Sequence, residues 1–193
     1  VVFLCTSDEE IGSHHSRAAI EKEARESRAV LVLEPPVGEE GLLKTWRKGI
    51  ADYRIRVKGR SAHAGGEPEK GRSAIRELAR IILDVESWTD FQAGLTVNVG
   101  VVRGGTRSNV VPEEAEGEVD VRVMDEGQAR MIDERMKTLA PSGDGLLVEV
   151  TGGLNRPPME RRHTEALFRI AEEAGETLGL RLQETGTGGG SDG

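Results

Sequence analysis

The apolar positions fall into runs of two kinds. Residues 1–5 (Val-Val-Phe-Leu-Cys) and 29–33 (Ala-Val-Leu-Val-Leu) are short and continuous, the pattern of strands buried on both faces of a parallel sheet. Between them Ala18, Ala19, Ile20 and Ala24 make a thin apolar stripe, which predicts a helix over 16–25. Strand, helix and strand in so short a span predict a βαβ unit with a right-handed crossover. Pro35 and Pro36 end its second strand.

From about Thr45 the period changes. Tyr53, Ile55 and Val57 alternate with Arg54, Arg56 and Lys58, as in a strand with one wet face. Ile75, Leu78, Ala79 and Ile82 recur at helical spacing. A strand over 95–102, a hairpin turn at 103–106 and a strand over 116–124 follow. Ala129, Ile132, Met136 and Leu139 mark a second helix, and 146–150 a last strand. The order β-α-β-β-α-β is the split βαβ of ferredoxin-like domains, an antiparallel sheet with two helices on one face. Residues 152–158 read as a return linker. Leu167, Ile170, Ala171, Ala174 and Leu178 predict a helix, and 181–184 a short strand. The fold class is therefore α/β, with an α+β domain over 45–155 inserted into an α/β domain that holds 1–44 and 156–193.

Aromatic residues make up only 3% of the chain, so its core must be built from Val, Leu, Ile and Ala. The 34 acidic residues outnumber the 26 basic ones, for a net charge of -8. Such a chain repels a phosphate backbone, so nucleic acid is not an expected partner. No apolar run approaches a membrane span, and no membrane partner is expected either. Cys5 is the single cysteine, which excludes an internal disulfide and suits a reducing compartment; a cytoplasmic location is the expectation. The chain starts in an apolar run without Met and stops in a glycine-rich loop, as expected for a fragment of a longer protein.

The candidate chemistry sits where the runs end. Asp8, Glu9 and Glu10 follow the first apolar run, and Glu34 follows the second. In open α/β sheets, ligands bind at the carboxyl ends of the strands. Converging carboxylates need a cation or a proton between them. Acidic residues after strands are, in general, more often solvated loops or helix caps. His63 lies in a loop rich in small residues, Asn109 in a hairpin and Arg122 on a wet strand face, all ordinary surface positions. Gly188, Gly190 and Gly193 match a G-x-G-x-x-G spacing with no helix after it, and the loop has no Lys for a Walker motif. Arg156 at the return linker is either a substrate arginine or part of the linker. His14, His15 and His163 read as surface residues.

Several segments are informative jointly. Thr6-Ser7-Asp8-Glu9-Glu10-Ile11-Gly12-Ser13, Leu33-Glu34-Pro35, Gly59-Arg60-Ser61-Ala62-His63-Ala64-Gly65, Ser108-Asn109-Val110-Val111-Pro112, Asp120-Val121-Arg122 and Gly188-Gly189-Gly190-Ser191-Asp192 occur in that order. Together they resemble the aminoacylase, acetylornithine deacetylase, succinyl-diaminopimelate desuccinylase and glutamate carboxypeptidase family of zinc metallohydrolases, in its glutamate carboxypeptidase branch. The resemblance implies a partial zinc-peptidase-like α/β catalytic domain with an inserted lid and dimerisation domain. It implies hydrolysis of an amide bond in a small peptide or N-acyl amino acid by a metal-activated water. Glu9 would be the general base, and Glu10 and Glu34 ligands of two zinc ions. His63 would stabilise the oxyanion in the sister protomer of a homodimer formed through the lid. Asn109, Arg122 and the amides of Gly189 and Gly190 would hold the substrate. The family's other ligands, a His-x-Asp pair and a late His, are not in this sequence, so the chain alone is expected to be catalytically silent and to bind zinc weakly or not at all. An alternative reading is a dimerisation module without catalysis.

Overall fold

The computed structural model describes residues 1–192. Gly193, the last glycine of the G-x-G-x-x-G spacing, lies outside them. The chain divides into two compact units, Ile50–Leu154 and Val1–Gly49 with Asn155–Gly193.

The Ile50–Leu154 unit is built on strands β2 (Gly49–Lys58), β3 (Thr96–Gly104), β4 (Glu114–Val123) and β5 (Leu147–Arg156) and helices α2 (Ala74–Glu86) and α3 (Glu126–Lys137). The sheet order is β3-β4-β2-β5, the spatial order of a ferredoxin-like βαββαβ fold, as the sequence pattern predicts. Strict alternation on β2 and β4 sends Ile55, Val57, Val121 and Val123 to one face, where they are buried. Leu78, Ile81 and Val85 of α2 and Ile132 and Met136 of α3 fill the space above them. The opposite face carries Arg54, Arg56 and Arg103 interleaved with Glu116 and Glu118, a ladder of ion pairs in solvent. Ser73 and Asp125 cap the helices, their side chains accepting from the amides of Arg76 and Gln128. β3 and β4 pair antiparallel, with a bulge between Val99 and Val101.

The other unit departs from the sequence pattern. Helix α1 (Arg17–Glu26) forms, but residues 1–5 and 29–33 are not strands, and the expected βαβ pairing is absent among the described residues. Phe3 is 83% exposed and Leu33 88%. A continuous apolar run is buried only where neighbouring strands and covering helices meet it, and no described element does so here. The parallel pair of this unit is instead β1 (Leu43–Arg47) with β6 (Glu184–Thr187). Helix α4 (Arg161–Thr177) packs on β1, and Arg161 Nε pairs with Glu184 at 2.6 Å. Trp46 lies over its register partner Gly186, where a Cβ would stand 1.7 Å from the indole, so only glycine fits. The stretch read as a return linker is the end of strand β5, which runs to Arg156.

Candidate active site

Two groups of the sequence-derived candidates can be built up from the backbone, one in each unit. In the first, the tight 8–16 turn is held by Asp8, whose carboxylate accepts from the His15 amide at 2.8 Å and the Ser16 amide at 3.2 Å. Glu9 and Glu10 lie in a short 3-10 turn that Gly12 ends at φ +96°. A Cβ on Gly12 would meet Asn155 Nδ2 at 2.9 Å. The turn presents Glu9 to Arg156, which bonds its carbonyl at 2.6 Å and its carboxylate at 3.1 Å. Arg156 also pairs with Asp192 at 3.1 Å, and the Ser13 hydroxyl donates to Asp192 at 2.7 Å. The Arg156 Nε–H is buried with no acceptor among the described residues.

Glu34 is joined to the neighbouring end of the same loop. Ser191 donates to Oε1 at 2.7 Å, Arg47 pairs with Oε2, and Lys44 lies 3.4 Å from Oε2. Burial opposes ionisation of Glu34, but the Ser191 hydroxyl, Arg47 and Lys44 outweigh it and hold the carboxyl below its ordinary range. Arg47 is itself buried, and its other terminal nitrogen donates to the carbonyls of Gly190 at 2.7 Å and Gly189 at 3.3 Å. Residues 188–192 thus receive both acidic segments, Glu9 through Arg156 and Glu34 through Arg47. Glu10 is exposed, and among the described residues its carboxylate has no hydrogen-bond or ion-pair partner.

As metal donors, Glu10 and Glu34 supply oxygens of the kind a dication takes, and Glu34 is ionised and oriented. Both oxygens of Glu34 are engaged in this structure, Oε1 by Ser191 and Oε2 by Arg47 and Lys44. No group of three or more His, Cys, Asp or Glu that could hold a metal is present among the described residues.

The second group lies in the Ile50–Leu154 unit. His63 bridges Val110, and the Ala64 amide donates to the Asn109 carbonyl at 3.0 Å, so His63 and Asn109 share one exposed loop cluster. His63 Nδ1 accepts from the amides of Gly65 at 3.1 Å and Gly66 at 3.0 Å. Because Nδ1 is an acceptor, the neutral ring carries its proton on Nε2 and points a donor outward. Arg122 is elsewhere. It faces Thr96 at the far end of the hairpin, seven residues along β4 from Ala115, or about 24 Å of strand. Its fork is filled by Asp120 at 2.9 and 2.8 Å.

Sequence reasoning passed over Arg47, Ser13, Ser191 and Asp192 as partners. Arg47 sits in the polar stretch Thr45-Trp46-Arg47-Lys48, which gives no sign of a buried cation.

A family model described as the peptidase dimerisation domain matches residues 45–144, and the chain belongs to the M20 family of peptidases. Carboxypeptidase G2 of Pseudomonas sp. strain RS-16 is 30% identical over the whole chain and 47% of its own length. A Haemophilus influenzae homolog of one p-aminobenzoyl-glutamate hydrolase subunit is 37% identical over 68% of this chain and 37% of that protein. Among solved structures, aminopeptidase PepT of Bacillus cereus superposes with a TM-score of 0.75 at 24% identity, covering 97% of this chain and 50% of that one. A dinuclear metal-binding M20 peptidase of Bacillus subtilis gives 0.65 at 22%, covering 95% and 49%. The chain therefore spans about half or less of the length of these relatives. The structural likenesses support the fold alone. No helix among the described residues is long and apolar enough to cross a membrane.

Proposed function

We propose that this chain carries part of the machinery of a zinc-dependent hydrolase that cleaves the amide bond of an N-acyl amino acid or of a C-terminal peptide residue. The reading rests chiefly on the gathering of Glu9, Glu34 and the 188–192 loop around two arginines in one unit. Relatives named as a carboxypeptidase and an aminobenzoyl-glutamate hydrolase favour an acylated amino acid as substrate. Glu10 and Glu34 would contribute to the metal site. When bound, the ions supply an acidified water and a polarised carbonyl. Glu9, not a ligand in this reading, takes a proton on its carboxylate and later returns it to the leaving amine. Arg156 holds Glu9 in place. The Nε2–H of His63 serves the developing oxyanion in the sister protomer of a homodimer, a role its Nδ1 contacts favour by fixing the tautomer. The amides of Gly189 and Gly190 face the substrate carboxylate. Arg122 binds substrate only where it exchanges Asp120 for a substrate carboxylate, and Asn109 assists from the His63 loop.

The test uses the complete gene product loaded with zinc and a panel of N-acyl amino acids, with release of free amine as the readout. Glu9→Gln should lower kcat by about 10²–10⁴-fold, and His63→Ala by about 10²–10³-fold. Turnover unchanged in Glu9→Gln at intact circular dichroism would overturn the assignment.

A second reading has its own support. Val101 and Val102 on edge strand β3 and Ile75 and Leu83 on α2 are exposed apolar residues in the matched dimerisation domain. They favour two-fold pairing of two copies through this edge and helix. Leu83→Arg with Val102→Asp should shift sedimentation from dimer to monomer.

A further inference from the structure

Arg47 is the last residue of β1, and its backbone is fixed on both sides. Its amide donates to the Met159 carbonyl at 2.9 Å, and its carbonyl accepts from the Met159 amide at 3.1 Å. On the other side it registers with Thr187 of β6, whose carbonyl takes the Lys48 amide at 3.2 Å. The pleat sends Trp46 toward Gly186 and sends Thr45 and Arg47 to the other, buried face. A guanidinium on a residue that is only 7% exposed is costly to bury unless its donors are used. Here two nitrogens serve two different partners, the Glu34 carboxylate and the carbonyls of Gly189 and Gly190. Ser191 then bonds the second Glu34 oxygen at 2.7 Å, which closes a ring from Arg47 through Glu34 and back along the loop. Lys44, 19% exposed and 3.4 Å from the same carboxylate, adds charge but makes no bond to the loop.

We propose that Arg47 is a positioning residue, a clamp that fastens the Glu34 carboxylate and the Gly189–Gly190 backbone into one assembly. The assembly lies just beyond the carboxyl ends of the parallel pair β1–β6. What Glu34 and the loop do once held rests on the hydrolase reading above; the clamp itself does not. A planar fork can span two acceptors at fixed spacing, whereas a lysine offers a single point of charge. The clamp thus specifies arginine rather than any cation.

Nuclear magnetic resonance on the isotopically labelled, metal-free 193-residue chain tests it. In the wild type, the amides of Gly189 and Gly190 should give order parameters near the rigid value of about 0.85, and Arg47→Met should bring them below about 0.6. Arg47→Lys should fall between the two. Glu34→Gln should loosen the loop in part, and the double variant should be no looser than Arg47→Met alone, because both changes open one ring. Amides of β4 serve as the folding control. Should Arg47→Met fail to fold, Arg47→Lys and Glu34→Gln decide the matter. A loop unchanged in Arg47→Met, full rescue by lysine, or independent effects of the two substitutions would each overturn the clamp. None of these readouts needs turnover or metal. A failed hydrolysis assay with the coupling intact would therefore reject the hydrolase reading and leave the clamp standing.

Discussion

At the scale of single residues, the described structure is governed by a few buried charges. Glu77 is 3% exposed on α2 and accepts from the Ser142 amide at 3.0 Å, the Ser142 hydroxyl and Arg80. Burial disfavours its charge, yet Arg80 and Ser142 outweigh burial and hold its carboxyl below the ordinary glutamate value of 4.5. The folded state therefore favours the ionised form. Its contribution is present above that value and is lost as pH falls through the lower, folded-state pKa. Urea midpoints should drop across the acid range below 4.5, and Glu77→Gln should flatten that limb. Glu77→Ala should cost about 1–3 kcal/mol at neutral pH, because the Ser142 donors lose their acceptor. Neither Glu77 nor Arg47 announces its burial in the sequence. Each is a charged residue with a charged residue beside it, and only partners further along the chain make it an interior group.

At the scale of elements, the strict alternation of a half-wet strand was readable and the uniform apolar runs were not. The alternation on β2 names a wet and a dry side, and the structure uses both as predicted. On α2 the buried face falls instead on Ala74, Leu78, Ile81 and Val85, and Ile75 and Ala79 of the expected stripe lie exposed. Leu78 is central to this packing, with Cδ1 3.4 Å from the position a Cβ on Gly117 would take. Leu78→Ala should cost about 2–5 kcal/mol, measured by chemical denaturation, through lost burial and the cavity left between helix and sheet. The uniform apolar runs at 1–5 and 29–33 carry no such internal reference. They state that a segment would gain by burial but not what covers it, and here they lie exposed. The strand end at Arg156 was hidden for another reason. Gly152 and Gly153 resemble a linker, yet both sit within β5 at positive φ, where glycine is tolerated.

At the scale of the molecule, the Ile50–Leu154 unit owns a continuous core drawn from its own helices and sheet. Expressed alone, it should unfold in one cooperative urea transition with retained helix and strand signals. Loss of cooperativity would mean that the core depends on the remaining chain. The other unit is held differently, by two parallel strands, one packed helix and the arginine-centred contacts of its loops. The candidate site divides along the same line. Glu9, Glu34 and the glycine loop gather in one unit, and His63 with Asn109 in the other, with Arg122 remote from His63 along its own hairpin.

The sequence alone determined the βαββαβ order, the wet and dry faces of β2, the family resemblance and the segments that are candidates for chemistry. All of these are local or periodic properties, written within one or two turns of chain. Only the tertiary structure decided that Arg47 and Arg156 join the acidic segments to residues 188–192, that Asp120 fills the fork of Arg122, and that His63 presents Nε2–H. Those depend on which groups meet across more than a hundred residues, or on which hydrogen-bond partner a side chain finds in a folded loop. Periodicity has no term for either.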